Sequence, residues 1–222
     1  MVIKKTVFFS CVVLATLIFI LCEVYAFNQA DLEILKSTKG CPYCDLPDAN
    51  LSGADLINAK LSGTNLSGAD LTKANLSGAD LANANLSGAN LTDAKLSGTN
   101  LFRANMTNAI LSGTNLSGAD MTAANLNYAT LTAVNMIYAD LSSAYLIGAK
   151  LSNVNLSTAR LSYVSMVGAK LSNVNMSNTT MNFINLTDAV MINVKLLRAD
   201  LSDATWADGT KCVRGSIEDC KR

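Results

Sequence analysis

Six cysteines and no histidine set the chemistry open to this 222-residue chain. Cys41-Pro42-Tyr43-Cys44 places two thiols two residues apart, a spacing used both for thiol–disulfide exchange and for adjacent metal ligands. Cys212 and Cys220 form a second pair near the other end. The lack of His removes the commonest general base and metal ligand. Asp is frequent, but Asp55, Asp70, Asp80, Asp120, Asp140 and Asp200 recur at multiples of five residues. That spacing reads as a solvated row of a repeat, not as paired carboxylates for acid–base work. Each Gly of Leu-Ser-Gly belongs to the same period, so no phosphate-cradling loop stands out. We expect no catalytic residue, no metal site and no cofactor.

The period itself dictates what must position these groups. Thirty-three consecutive sites, every fifth residue from Leu46 to Trp206, carry Leu, Met or the final Trp. Two residues before each stands Ala, Thr, Val or one Ile, with Cys44 at the first. At 3.6 residues per turn, a helix would scatter these Leu around its circumference. A straight strand, with its side-chain period of two, would alternate them between faces. They share one interior only if the chain turns a corner in every repeat. In Ala54-Asp55-Leu56 the outer two residues then point inward and the middle one outward. The following pair, such as Ser62-Gly63, makes the turn, where small and polar residues fit tight backbone. Self-similarity at a fixed short period is the mark of a solenoid that buries its apolar side by stacking.

The units Ala-Asn-Leu-Ser-Gly and Ala-Asp-Leu-Thr-Lys resemble those of pentapeptide-repeat proteins, whose motif is Ala-(Asp/Asn)-Leu-X-X. The resemblance implies an all-β, right-handed quadrilateral β-helix with four repeats per coil, hence about eight coils. Stacking at roughly 4.8 Å per strand makes a rod roughly 40 Å long. Four segments follow: residues 1–26 as signal peptide, 27–45 as N-terminal cap, 46–206 as the repeats and 207–222 as C-terminal cap loop. Asn28 is placed to cap a short helix running to about Lys39, with Leu32 and Leu35 on its apolar side and Gly40 as its stop. Trp206 fills the last core site. The ending Trp-Ala-Asp-Gly-Thr-Lys-Cys, closed seven residues later by Cys220, is similar to tails of secreted bacterial members of the family.

The first residues read as a secretory signal. Lys4 and Lys5 precede an apolar run from Val7 to Leu21, and Val24-Tyr25-Ala26 offers a cleavage site before Phe27. An uncleaved anchor is the rival reading, disfavoured because the run is short against the ~20 residues of a membrane span. Bulky Leu21 counts against lipidation of Cys22. The expected product is exported, periplasmic or extracellular, cleaved after Ala26 and free of the membrane. In an oxidising compartment the remaining thiols tend toward disulfides. The two pairs flank a rod ~40 Å long and a disulfide needs Cα atoms within about 7 Å. Within one monomer this leaves Cys41–Cys44 and Cys212–Cys220, and denies a zinc site built from all four. Cys-Pro-Tyr-Cys also resembles the glutaredoxin active-site motif, but that chemistry belongs to a thioredoxin-like βαβ setting absent here.

Charge and surface bound the function. Some pentapeptide-repeat proteins resemble duplex DNA and bind gyrase. The repeats here carry ten Asp against nine Lys or Arg, whereas duplex DNA bears one charge per ~1.7 Å. We expect no nucleic-acid mimicry and no nucleic-acid partner. Up to Asn100 the outward positions are almost all small or polar; beyond it they admit Tyr128, Tyr138, Tyr145, Ile147, Tyr163, Val167 and Phe183. With twenty residues per coil, Ile147 stacks on Val167 and Tyr163 on Phe183, and the two columns are expected to meet at one corner as an interaction patch. Contiguous exposed apolar surface marks contact sites, and Tyr is favoured in them. The chain is thus read as an exported, non-enzymatic rod for protein–protein interaction or envelope scaffolding, its partner an unknown protein or a second copy. A redox protein using Cys41 and Cys44, and a purely structural self-associating rod, are the alternatives.

Overall fold

The computed structural model describes residues 28–221; the expected signal segment, its expected cleavage after Ala26 and Cys22 lie outside them. Each coil takes twenty residues and four sides. Parallel pairing joins every outward mid-side residue to the one twenty further on, from Gly40↔Lys60 to Asn185↔Thr205.

One repeat shows how the sequence satisfies its own backbone. Leu71 N–H donates to Asn90 O one coil ahead at 2.8 Å, and Lys73 N–H to Thr92 O at 2.8 Å. Asn75 N–H donates to Ala54 O one coil behind at 2.9 Å, and Ala74 N–H closes the turn onto Leu71 O at 3.0 Å. The fifth donor, Thr72 N–H, is taken by the Asp70 carboxylate at 2.9 Å. The turn's third residue takes the left-handed conformation, φ 58° at Lys73, as a turn closed from its first to its fourth residue demands of Gly or Asn in type II. Inside, Leu and Met sites from Leu46 to Leu186 are buried, most of them completely. Thr64, Thr99 and Thr114 are accommodated in the core because each hydroxyl donates to a carbonyl of the preceding coil, Cys41, Leu76 and Leu91, at 2.7–2.8 Å.

Valine alters one corner. Ala54, Ala74 and Ala94 each close the turn that precedes them at 3.0 Å, and Thr114 does so at 3.3 Å. At Val134, Val154, Val174 and Val194, the same column further along, that bond is missing. Val164 and Ile184, in another column, still close their turns at 3.4 and 3.2 Å, so the open turn belongs to this column and not to β-branching alone. The chain on this side runs instead as strands β1 (Thr130–Thr132), β2 (Lys150–Ser152), β3 (Lys170–Ser172) and β4 (Val190–Ile192), a parallel sheet in that order.

Caps close the rod unequally. Helix α1 (Gln29–Thr38) begins on Asn28, whose side chain accepts from Ala30 N–H, and buries Leu32 and Leu35 against the first coil. It stops one residue before the expected Gly40: Lys39 takes the left-handed conformation and its N–H returns to Leu35 O. Lys39 Nζ then reaches Asp55 Oδ2 at 2.8 Å. At the far end the chain doubles back, pairing antiparallel at Thr205↔Lys211 and Asp200↔Ile217. Among the described residues no helix is long and apolar enough to cross a membrane.

Candidate interaction face

The thiol motif turns out to be a corner of the solenoid. Cys41 sits in the core one repeat upstream of Leu46, its N–H donating to Lys60 O at 2.8 Å, and Cys44 N–H closes the turn onto Cys41 O. Cys-Pro-Tyr-Cys thus occupies the place of a Leu-Ser-Gly-Ala turn, and the disulfide joins residues whose Cα atoms are 5.4 Å apart. Reactive thiolates are favoured at helix N-termini or beside cations and need exposure. Cys41 is 1% exposed, and its sulfur faces the Asp31 carbonyl at 3.2 Å. One ligand atom from each of Asp31, Cys41 and Cys44 falls within a 4.8 Å cluster. With both sulfurs joined to each other, that cluster offers a metal one carboxylate. Cys212 and Cys220 are likewise joined, Cα atoms 4.9 Å apart, pinning the returning tail.

The repeating Asp row is also structural. Asp70, Asp80, Asp120, Asp140 and Asp200 each accept the backbone N–H two residues on, as do Asn65, Asn75 and Asn90 in the same position. Hydrogen bonds from the Thr72 hydroxyl and N–H hold the Asp70 carboxyl below the usual carboxylate range, and Lys39 Nζ does the same for Asp55.

Exposed aromatic surface sets one side apart. Tyr163 and Phe183, one coil apart, stack with ring centroids 4.8 Å apart and planes within 4°, and are 61% and 47% exposed. The sequence expectation of a single corner needs correction. Tyr163 and Phe183 lie in the turns entering this side, Ile147 and Val167 in the turns leaving it, with a core site such as Met166 between. The four residues flank a side of the rod instead of meeting at a corner, because a corner turns after every five residues and Tyr163 precedes Val167 by four. Ile147 and Val167 are half-buried. Exposed Tyr145 stands mid-side between the two edges, and the ring of Tyr128 lies across Gly148, where a Cβ would come within 2.8 Å of it.

Several of these aromatics occupy backbone that ill suits them. Tyr128, Tyr163 and Phe183 have φ of 61°, 62° and 60°, a conformation costing an L-residue roughly 1–2 kcal/mol. Tyr145 fills a position that elsewhere supplies the Asp or Asn acceptor. The orphaned Ile147 N–H is taken by Asn127 Oδ1 of the preceding coil at 2.8 Å. The same conformation falls to the third turn residue of every repeat, as at Lys73, Arg103 and Ala123, so the aromatics take it from the coil.

Comparison with known proteins places the repeats in a family. The family model for pentapeptide repeats (8 copies) matches residues 43–72, 69–108, 99–136, 139–178 and 171–205. No curated protein matches. Similar solved structures include HetL, a pentapeptide repeat protein involved in heterocyst differentiation regulation in Nostoc, at 31% identity over 78% of this chain and 86% of that one, TM-score 0.38. A pentapeptide repeat protein of the Arabidopsis thaliana thylakoid lumen is 35% identical over 46% of this chain and 68% of its own, TM-score 0.30. A trypsin-treated form of QnrB1, a plasmid-mediated fluoroquinolone resistance protein, is 22% identical over 67% and 77%, TM-score 0.49. With family matches running from the Cys41–Cys44 corner to the last closed coil, this chain belongs to the pentapeptide-repeat family and folds as its right-handed quadrilateral β-helix.

Proposed function

We propose that this protein is an exported, non-catalytic binding rod that contacts a protein partner through the side carrying Tyr145, Tyr163 and Phe183, flanked by Ile147 and Val167. One observation carries the reading: a stacked, solvent-exposed aromatic pair, Tyr163 and Phe183, on one side of the rod. Aromatic side chains supply disproportionate binding energy at interfaces. Export is supported by the Lys4–Ala26 leader pattern and by cysteine pairs at disulfide distance. The test is capture from the envelope fraction of the exporting cell, wild type against Tyr163→Ser/Phe183→Ser. A partner retained equally by both proteins would remove this face from the contact.

A further inference from the structure

The C-terminal tail finishes two sides of the last coil and leaves two unfinished. Leu201 N–H donates to Ser216 O at 2.8 Å, and Cys212 N–H to Ala204 O at 2.9 Å, so the sides of Leu201 and Trp206 gain a covering strand. The sides of Met191 and Leu196 gain none. Asn173 and Met176, one coil earlier, donate their N–H groups to Ile192 and Lys195 at 2.9 and 2.8 Å. The equivalent N–H groups of Asn193 and Leu196 have no acceptor among the described residues. β4 is the edge of its sheet. Core residues Met191, Val194 and Leu196 are partly exposed here, unlike their counterparts along the rod, and Ile192 is 55% exposed beside them.

We propose that this notch is a strand-acceptor site that takes one extended, acidic segment of a partner protein, completing the last coil. Unpaired edge N–H and C=O groups template a further strand, and alternate side chains of an added strand fill the pockets beneath it. The notch is two repeats long. Its floor is apolar, so inward residues of the incoming strand are aliphatic. Its rim carries Lys195 and Arg198, with Glu218 beside the latter, its carboxylate accepting the Arg198 N–H at 2.9 Å; the ion pairs among the described residues lie elsewhere, at Lys36–Glu33, Lys39–Asp55 and Arg160–Asp140. Lys195 and Arg198, whose side chains are in no ion pair among the described residues, select carboxylates at the outward positions of the guest. The tail stands one layer above the notch on the other two sides. A single strand reaches β4 freely, while the broad end of a second rod meets the tail first.

The test uses the full exported chain and three fluorescent peptides of about ten residues, the length that spans two sides. One alternates Val with Asp, one alternates Val with Lys, and the third is the Asp peptide with N-methylated backbone amides. The Asp peptide is expected to bind at least about tenfold more tightly than either other, roughly 1.4 kcal/mol. Lys195→Glu/Arg198→Glu should reverse the preference between Asp and Lys peptides. Binding should also slow hydrogen exchange at the Asn193 and Leu196 amides, which exchange freely in the unbound protein. Tyr163→Ser/Phe183→Ser should leave peptide binding unchanged, separating this site from the aromatic face. Equal affinity for the three peptides, or no binding up to about 1 mM, overturns the proposal. So does a concentration-dependent dimer in sedimentation that Ile192→Asp abolishes, which would give the notch to a second copy.

Discussion

The carboxylate of Asp70 accepts both the backbone N–H of Thr72 at 2.9 Å and its hydroxyl, so the residue that looks like a solvated surface acid finishes the hydrogen bonding of its own repeat. Asp70→Ala leaves Thr72 N–H to water, and we expect a lower denaturation midpoint than in wild type. Asp70→Asn keeps the acceptor and should be nearly neutral. Chemical denaturation of the three proteins at neutral pH checks this; equal stabilities would return the Asp row to a purely solvent role.

Acid sensitivity follows from the same bonds. The folded-state pKa of Asp70 is lowered by Thr72, and that of Asp55 by the Lys39 hydrogen bond first and the Ile57 N–H second. A group whose folded pKa is depressed binds its proton more readily when unfolded. Its contribution is therefore full above the ordinary Asp value of about 3.9 and fades as pH falls below it. Thermal midpoints should be flat from neutrality to about pH 5 and decline below pH 4. The decline should be shallower in Asp55→Asn/Asp70→Asn than in wild type. An unchanged slope would show that these two carboxylates do not matter to acid stability.

Inward and outward positions should differ sharply even when adjacent. Leu116 is fully buried, and Leu116→Asp places a charge among stacked aliphatic side chains at a cost of several kcal/mol. Ser117 lies in the turn, and Ser117→Asp should change stability by no more than about 0.5 kcal/mol. Urea midpoints of the two variants provide the comparison.

Much of this arrangement was legible because a five-residue period admits one solution, a chain that corners once per repeat with Leu inside. The helix cap at Asn28 was legible for a local reason, a side-chain acceptor; the closing cysteine pair marked a C-terminal cap loop but not its antiparallel return onto the last coil. The Asp and Asn acceptor role was not read, although Asx residues two before a turn N–H are the signal for it. Cys41 was not seen as a core residue, since Cys-Pro-Tyr-Cys reads first as thiol chemistry and only second as a Leu-Ser-Gly-Ala turn. The aromatic residues were found but misplaced, because column arithmetic locates neighbours twenty apart and says less about which corner a residue four away has turned. That the turns before Val134, Val154, Val174 and Val194 stand open and give β1–β4 depends on a hydrogen bond that sequence does not display.

The cysteine pairs should be local and should protect the two ends separately. Non-reducing peptide maps of exported protein should link Cys41 to Cys44 and Cys212 to Cys220. Each closes a short loop, for which chain entropy gives roughly 2–3 kcal/mol. In Cys212→Ser/Cys220→Ser, exchange should rise first at Leu201 and Cys212 amides, which the tail pairs, while mid-rod amides stay protected. Glutathione exchange catalysed by the protein and abolished in Cys41→Ser would instead make the corner a redox site.

The aromatic side provides the sharpest functional prediction. Tyr163 and Phe183 touch each other and solvent, and neither contributes to the stacked Leu and Met interior. Tyr163→Ser/Phe183→Ser removes two residues from left-handed backbone and one stacking contact worth about 0.5–1.5 kcal/mol. Folding by circular dichroism should survive, with a thermal midpoint shifted by a few degrees at most. If this side binds a protein, the double variant should weaken the complex by at least about 2 kcal/mol, some thirtyfold in Kd, as loss of an interface hot spot does. Thr158→Ala, a half-buried turn residue at a different corner, is the control and should not change affinity. Sedimentation of the isolated protein separates partner binding from self-association, since a homodimer through this side would dissociate in the double variant alone. Unchanged association in both assays would leave Tyr163 and Phe183 as a surface stack and the protein as a structural rod.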